Sequence, residues 1–535
     1  GFYKDYRNYP VSINDGISIA NKGLEFGAIG NEPIAQIGKG RAYGFELFAQ
    51  QKLTKNFFGV FSYTFYRSEF TGLDNKFVPA SWDNRQLISM TAGYKLPKNW
   101  EIGLNYLKNF SIKRRLTVDI FEKVVNNMGP IGAHAHYSHH YFSFPKLTGE
   151  LGPRMTFMGK EMLNWSLNNY LGLANHPEVR KADADATAKY GLAYPMGARM
   201  MSGNTDQHEQ LESELAAFVF KQDAILMNFG YQGIMSTIDA ICGRHDVIVY
   251  DAESHACIID GLRLHPGHRY VFKHNDLEDF EKQMQRATAL IEKQKAGGIL
   301  VITEGVFGMA GDQGKLKEIA ALKGKYDFRL LVDDAHGFGT LGKTGAGAGE
   351  AQGCQDAIDL YFSTFAKSMA SIGAFLAGDK TIIDFIRYNI RSQIFAKSLP
   401  MPLVIGNLKR LEMLRTMPEL KEKLWSNALK LQAGLKERGF DIGKTDTPVT
   451  PVYMKGGVEE ATAMVMDLRE NYKIFCSIVV YPVIPKGHII YRLIPTASHT
   501  DADIQETLIA FTETKAKLDA GAYKVEAIPD MAEKK

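Results

Sequence analysis

The stretch STFAKSMASIGAF places one lysine, Lys367, among small and apolar residues with no acid beside it. A lysine in such surroundings either snorkels its ammonium to water or loses part of its charge, because desolvation disfavours the protonated form. In the second case the amine is a nucleophile. Other residues could work with it. Asp333 ends the apolar run FRLLVD, and His336 follows it in D-x-x-H spacing. His255, in YDAESHACIIDG, comes directly after the run DVIVY. NFGYQG offers Gly230 and Tyr231 at the start of a helical segment, where backbone amides and the helix dipole hold anions. Taken singly, each has a structural reading as well: an Asp cap, a surface histidine, a turn glycine.

Placement argues against coincidence. The runs DAILMN, DVIVY, GGILVIT, FRLLVD and IDLYFST alternate with helical segments, the pattern of an α/β protein with a largely parallel sheet. Crossover connections bring the ends of such strands to one edge, where open α/β sheets bind ligands. Asp333, His255 and Lys367 all fall just past strand ends, so the fold gathers them. Together they match what pyridoxal phosphate requires: a lysine for a Schiff base, an acid on the pyridinium nitrogen, a donor to the phenolic oxygen and amides for the phosphate. The ring of His255 can stack on the pyridine.

The rest of the chain divides unevenly. Residues 1–110 form aromatic-rich, period-two segments such as YGFELFAQQ and NFFGVFSYTFYRSEF, separated by short turns and one longer loop. Phe57, Phe61, Tyr63 and Phe65 share one face, with Ser62 and Thr64 on the other. This suits either an outer-membrane barrel or a small soluble antiparallel sheet. Residues 111–165 read as a linker and N-terminal arm, and 166–399 as the large cofactor-binding domain. Residues 400–518, with helical LKRLEMLRTMPELKEKLW and strands TPVYM, FCSIVVYP and IIYRLIP, read as a smaller α+β domain. Thr500 and Asp503 form a capping-box pattern before the last helix, and 519–535 reads as a disordered tail.

Composition excludes several classes. With 63 Lys+Arg against 60 Asp+Glu, the net charge of +3 offers nothing to nucleic acid. The cysteines Cys242, Cys257, Cys354 and Cys476 are widely spaced, so neither a disulfide frame nor a cysteine zinc site is expected, and a cytoplasmic location fits. No apolar run reaches the about 18 residues of a membrane helix, and no export signal is expected at GFYKDYRNYP. GFGTLGKT at 337–344 matches the P-loop pattern, yet DDAH separates it from its strand and GAGAGEAQG after it is a poor helix. HAHYSHH at 134–140 lacks a carboxylate or cysteine and reads as a polar loop segment, so no metal is expected.

The stretches NNYLGLANHPEV, GARMMSGNTDQHEQLESELA, NFGYQG, DAESHACIIDG, TEGVFGMAGD, VDDAHGFGTLG, STFAKS and IPTASHT, in this order, resemble the α-oxoamine synthases. These are fold-type-I pyridoxal phosphate enzymes, the group of serine palmitoyltransferase, 8-amino-7-oxononanoate synthase and 2-amino-3-ketobutyrate CoA ligase. The resemblance covers residues 119 to about 518 and implies an α/β fold with a mostly parallel large domain and a smaller α+β C-terminal domain. It implies that Lys367 carries the cofactor, Asp333 meets the pyridinium, His336 faces the phenolic oxygen and His255 stacks on the ring. Thr364, with the amides of Gly230 and Tyr231, would hold phosphate. Arg492 would bind the amino-acid carboxylate, Asn169 and Tyr170 would line the substrate entrance, and His208 is a further substrate-site candidate. Where many members have serine, aspartate or further hydroxyls, this chain has Gly308, Ala310, Ala366, Ala396 and Lys397.

The implied reaction is decarboxylative condensation of an amino acid with an acyl-CoA to an α-amino ketone, by a homodimer. Serine or cysteate with a long-chain acyl-CoA is expected first, which would bring a peripheral membrane contact. Glycine or alanine with a shorter acyl-CoA is the alternative, and an aminotransferase is a third. Residues 1–110, with GKGRAYGFELFAQQKLTKNFFGVFSYTFYRSEF followed by SWDNRQLISMTAGYKL, resemble the last strands of a TonB-dependent outer-membrane receptor. The expectation there is a barrel fragment, a truncated remnant or fusion. A receptor fragment with an inactive passenger is the competing reading of the whole chain.

Overall fold

The computed structural model describes residues 1–13, 16–21, 33–54, 56–80, 83, 85–96, 100–109, 121, 124, 138–481, 483–485 and 487–524. They fall into two compact units, Gly1–Tyr137 and Ser138–Lys535. Most of the linker at 111–137, including the first part of HAHYSHH, and the end of the tail lie outside the described residues.

The first unit is an antiparallel sheet of β1 (Phe2–Ser12), β2 (Ile34–Thr54), β3 (Phe57–Thr71), β4 (Phe77–Pro79), β5 (Gln86–Leu96) and β6 (Trp100–Asn109). Its order is β1-β2-β3-β5-β6, with β4 on β3. Period two carries through: Phe45 of β2 meets Tyr63 and Phe65 of β3, each at 5.8 Å between ring centroids. Phe45, Leu47, Phe57 and Phe61 are nevertheless exposed, and Phe70 and Ala80, with Tyr6 and Tyr9 against them, form a small core. Among the described residues β1 and β6 stand at the two ends of this order and do not pair with each other.

The second unit begins with β7 (Leu147–Thr148), β8 (Arg154–Phe157) and β9 (Lys160–Asn164). The sequence reading made this segment part of an arm. Its alternate apolar residues Met155, Phe157 and Met162 are instead buried, and Leu163 pairs in parallel with Ile474 near the far end of the chain. Arg469 fixes the same region. Its guanidinium lies 4.2 Å from the Phe475 ring centroid and 5.0 Å from those of Tyr141 and Phe142, and it donates to the carbonyl oxygens of Tyr141 and Cys476.

The central sheet contains β10 (Asp223–Met227), β11 (Val247–Asp251), β12 (His268–Phe272), β13 (Ile299–Glu304), β14 (Arg329–Asp333), β15 (Leu360–Thr364) and β16 (Ala374–Gly378). The order is β10-β16-β15-β14-β13-β11-β12, parallel except for β16. Both faces are buried, which explains the nearly continuous apolar runs. Val247, Val249, Val301, Leu330 and Val332 pack on one side, while Ile248, Leu300, Ile302 and Leu331 pack on the other. β10, β11, β13, β14 and β15 are the five runs read from the sequence.

The smaller domain adds β17 (Thr450–Tyr453), β18 (Ile474–Phe475), β19 (Ser477–Val479) and β20 (Ile490–Leu493). β17-β20-β19 form a three-stranded antiparallel sheet, and β18 completes the four-stranded sheet begun by β9, β8 and β7. The helix Met401–Thr416 lies on the large-domain side of the expected division at residue 400: Met401, Val404 and Leu411 join the central core. The following helix, Pro418–Glu437, turns Leu431 and Leu435 into the small-domain core instead. Thr500 and Asp503 form the reciprocal capping box expected for the last helix, Asp501–Asp519.

Candidate active site

Three strand ends meet at one edge. Glu304 is paired with Asp333 across β13 and β14, and Asp333 with Phe362 across β14 and β15, two residues before Thr364. Asp333 is 6% exposed and accepts the Ala335 N–H at 3.2 Å; the Cys257 thiol lies 3.9 Å from its other oxygen. Burial raises its pKa, while the charges of Lys367 and His255 pull it back. Lys367 follows β15 in the turn Phe365–Ala370. Burial outweighs the attraction of Asp333 and Glu304 and lowers its amine to about 8. No hydrogen bond from this amine reaches any described residue. Glu304, buried beside Asp333, is pushed well above the usual carboxylate range by burial and then by that neighbour.

His255 caps the helix Ala256–Leu264. Its Nδ1 accepts the Cys257 N–H at 3.3 Å, and its own backbone N–H donates to Glu304 Oε1 at 2.6 Å. Desolvation lowers its pKa against the pull of Asp333, and the residue stays solvent-accessible, so a flat group can lie against its ring. His336 sits across the site with Nδ1 2.8 Å from the buried Tyr170 hydroxyl. Burial first, then the Lys367 and Arg492 charges, hold His336 well below its ordinary pKa, so the ring is neutral. Gly308 packs against its Nε2: a Cβ at this position would lie 2.1 Å from that nitrogen. The absence of a side chain at Gly308 is thus what gives His336 its place.

Arg492, on β20, is 9% exposed. Its Nε donates to the Gly308 carbonyl at 2.6 Å and one Nη to Asn168 Oδ1 at 3.3 Å, and no carboxylate among the described residues pairs with it. A buried guanidinium without an anion is costly, so this position calls for an incoming one. Asn168 was missed in the sequence, as was Glu304. Asn168 stands beside the residues chosen from NNYLGL, and Glu304 becomes conspicuous only once β13 and β14 pair.

The residues fit pyridoxal phosphate. The helix Gly230–Ile241 starts beside Thr364, which a Cβ on Gly230 would approach to 3.1 Å, so its first amides open beside a buried hydroxyl. That hydroxyl donates to the Gly373 carbonyl at 3.0 Å and accepts the Ala366 N–H at 3.2 Å, which fixes the turn leading to Lys367. Lys397 meets this edge through its backbone, whose carbonyl accepts from Asn228 Nδ2 at 2.6 Å; its side chain is exposed. The first amides of the helix, an unpaired amine, a buried acid and an accessible imidazole match phosphate, aldehyde, pyridine nitrogen and ring face in turn. The P-loop match has no such setting, because the next helix after it is the short Ala348–Ala351.

Two candidates stand elsewhere. His208 is fully buried, with Nδ1 2.7 Å from Thr205 Oγ1 and Nε2 2.8 Å from the Leu399 carbonyl. With both nitrogens engaged it is a core histidine, and the expectation of a substrate contact is corrected. Asn169 spends its side-chain oxygen on the Ala174 N–H at 3.1 Å, so it shapes the turn after Tyr170. Tyr231 provides a backbone amide, while its hydroxyl is tied to Asp260. Among the described residues no group of histidines, cysteines and acids is arranged to hold a metal.

Fold and site together define a fold-type-I pyridoxal phosphate enzyme. The family model described as aminotransferase class I and II matches residues 160–511. A cysteate-C-fatty acyltransferase from Capnocytophaga ochracea is 64% identical over 406 residues, covering 76% of this chain and 96% of the relative. A serine palmitoyltransferase from Sphingobacterium spiritivorum is 35% identical over 368 residues, 69% of this chain and 90% of its own length. The solved serine palmitoyltransferase from S. paucimobilis shares 30% identity at a TM-score of 0.69, covering 75% of this chain and all of that one. The chain belongs to the α-oxoamine synthase family, and its cofactor is pyridoxal phosphate. The family match begins at residue 160, beyond the N-terminal sheet.

Two outcomes follow from this geometry. Because the Lys367 amine is neutral above about 8, capture of pyridoxal phosphate by the apoprotein accelerates with rising pH and levels off above that value, as absorbance stopped-flow will show. Gly308→Ala forces His336 from its position; a misplacement of about 1 Å lowers kcat by about 10²-fold, while the cofactor still binds and gives its visible band.

Proposed function

We propose that this chain joins cysteate to a long-chain acyl-CoA. The Cα–H bond of the amino acid breaks, Cα bonds to the acyl carbonyl carbon, and CoA leaves as the thiol. The Cα–carboxylate bond then breaks, CO₂ departs and a proton returns to Cα, which leaves an α-amino ketone bearing the sulfonate. The observation that carries the substrate is the 64% identity to a cysteate-C-fatty acyltransferase across 96% of that protein.

Pyridoxal phosphate, when bound, supplies an electron sink for charge developing at Cα. This chain's residues do the remaining work. Asp333 would keep a proton on the pyridine nitrogen, with Glu304, whose carboxyl burial raises, next to it in the sheet register. Lys367, with its amine tuned near neutrality, takes the Cα proton and later returns it. Arg492 receives the substrate carboxylate and Asn168 steadies the guanidinium. His336, held by the Tyr170 hydroxyl, would face the phenolic oxygen of the cofactor.

A homodimer is part of this reading. Met196, Met201, Phe229 and Phe395 are between 58% and 83% exposed. Their segments adjoin: Ser398 N–H donates to the Gly197 carbonyl at 2.9 Å, and Asn228 reaches the Lys397 carbonyl. Exposed apolar side chains on adjoining segments beside the helix Gly230–Ile241 are suited to a second copy of the chain. No described helix is long and apolar enough to cross a membrane, and a peripheral contact during acyl-CoA capture remains part of the proposal.

The test is CoA-thiol release by purified protein with palmitoyl-CoA and each of cysteate, serine, glycine and alanine, alongside its mass by light scattering. Cysteate is expected to give the highest kcat/KM, from a particle of twice the chain mass. Preference for serine or glycine overturns the substrate. Amine transfer to a keto acid without thiol release overturns the reaction.

A further inference from the structure

The loop from Gly305 to Gly314 carries Gly308, whose carbonyl holds Arg492, and it is anchored at two feet. One foot is in the small domain: Thr445 and Thr447 hydroxyls donate to the Gly311 carbonyl at 2.9 and 2.7 Å, and Gln313 donates to Asp446 through backbone and side chain, both at 3.1 Å. The other foot is His274, just past β12. Its Nδ1 lies 2.9 Å from Asp251 Oδ1, at the end of β11, and its Nε2 lies 2.9 Å from Asp312 Oδ2, in the loop itself.

Two carboxylates on two ring nitrogens require both nitrogens to donate, which only the imidazolium can do. Burial works against that charge, yet the two hydrogen-bonded acids outweigh it and raise His274 to about 10. The neighbouring groups reinforce the arrangement. Asn275 donates its N–H to Asp251 at 3.0 Å and its side-chain amide to Asp312 at 2.9 Å. The Phe307 ring meets the imidazole edge to face at 4.4 Å, and the Phe307 N–H donates to the Asp312 carbonyl at 2.9 Å. Phe307 directly precedes Gly308.

We propose that His274 is a positioning residue for the substrate carboxylate. Its imidazolium clamps Asp312 to Asp251, which fixes the loop so that the Gly308 carbonyl aims the Arg492 guanidinium into the site. His274 touches neither cofactor nor reacting atoms and acts through Phe307 and Gly308. The inference rests on the amino-acid reading of Arg492 given above, and the exchange measurement below is independent of that reading.

The experiment uses the holoenzyme with His274→Gln, which cannot bridge two carboxylates with two ring donors, and Asp312→Asn, which keeps the shape and removes one charge. In His274→Gln, the KM and spectroscopically titrated Kd for cysteate rise about tenfold, equivalent to about 1.4 kcal/mol, with kcat and the KM for palmitoyl-CoA within about twofold. Asp312→Asn shows the same split at smaller size. Hydrogen–deuterium exchange quickens in residues 305–313 of both variants and is unchanged in β13, β14 and β15. A lower kcat with unchanged cysteate affinity, or unaltered exchange in 305–313, overturns the proposal. Wild-type protein that binds no amino acid, while the variants still loosen this loop, overturns the substrate reading and leaves the clamp standing.

Discussion

The site depends on one electrostatic arrangement: an amine and two acids buried together at the carboxyl edge of a parallel sheet. Asp333 and Glu304 are register neighbours, so the sheet itself sets two carboxyl groups side by side. Burial makes it unfavourable for both to ionise, and Lys367 gives enough charge for one. The depressed amine and the raised Glu304 carboxyl are consequences of the same desolvation. Pyridoxal phosphate, when bound, would place a protonated pyridine nitrogen against Asp333 as a further cationic partner.

Everything around this edge serves to hold it. The apolar runs of β11, β13 and β14 are buried on both faces, which leaves their ends no freedom to splay. The small domain contributes Arg492 from β20, and the loop through Gly308 connects that strand to the large domain at 2.6 Å. Missing side-chain volume matters here as much as chemistry. At Gly308 the absence of a Cβ gives His336 its place, and at Gly230 it lets the helix start close against Thr364.

Much of this was legible in the sequence, for a physical reason. Strand-end position is a local signal, and Lys367, Asp333, His336 and His255 all declared themselves by following β-branched apolar runs. The Thr500–Asp503 box is equally local and appears as read. Long-range pairing was not legible. The segment 147–164 looked like an arm because its partner, Ile474, is far along the chain. β16, with the sequence AFLAG, has no β-branched residue to announce a strand. Glu304 lay in a quoted motif yet drew no notice, since its role depends on Asp333 standing next to it. His208 misled in the other direction: it sits in a motif-like stretch, and only the Leu399 carbonyl and the Thr205 hydroxyl reveal that both its nitrogens are engaged.

The most direct test of the central claim is chemical. Holoprotein reduced with borohydride, digested and mapped by mass spectrometry reports which amine carries the cofactor. The account predicts the pyridoxyl mass on the peptide containing Lys367 and on no other lysine. Labelling of a different lysine, or of none in protein that shows the cofactor's visible band, would contradict it.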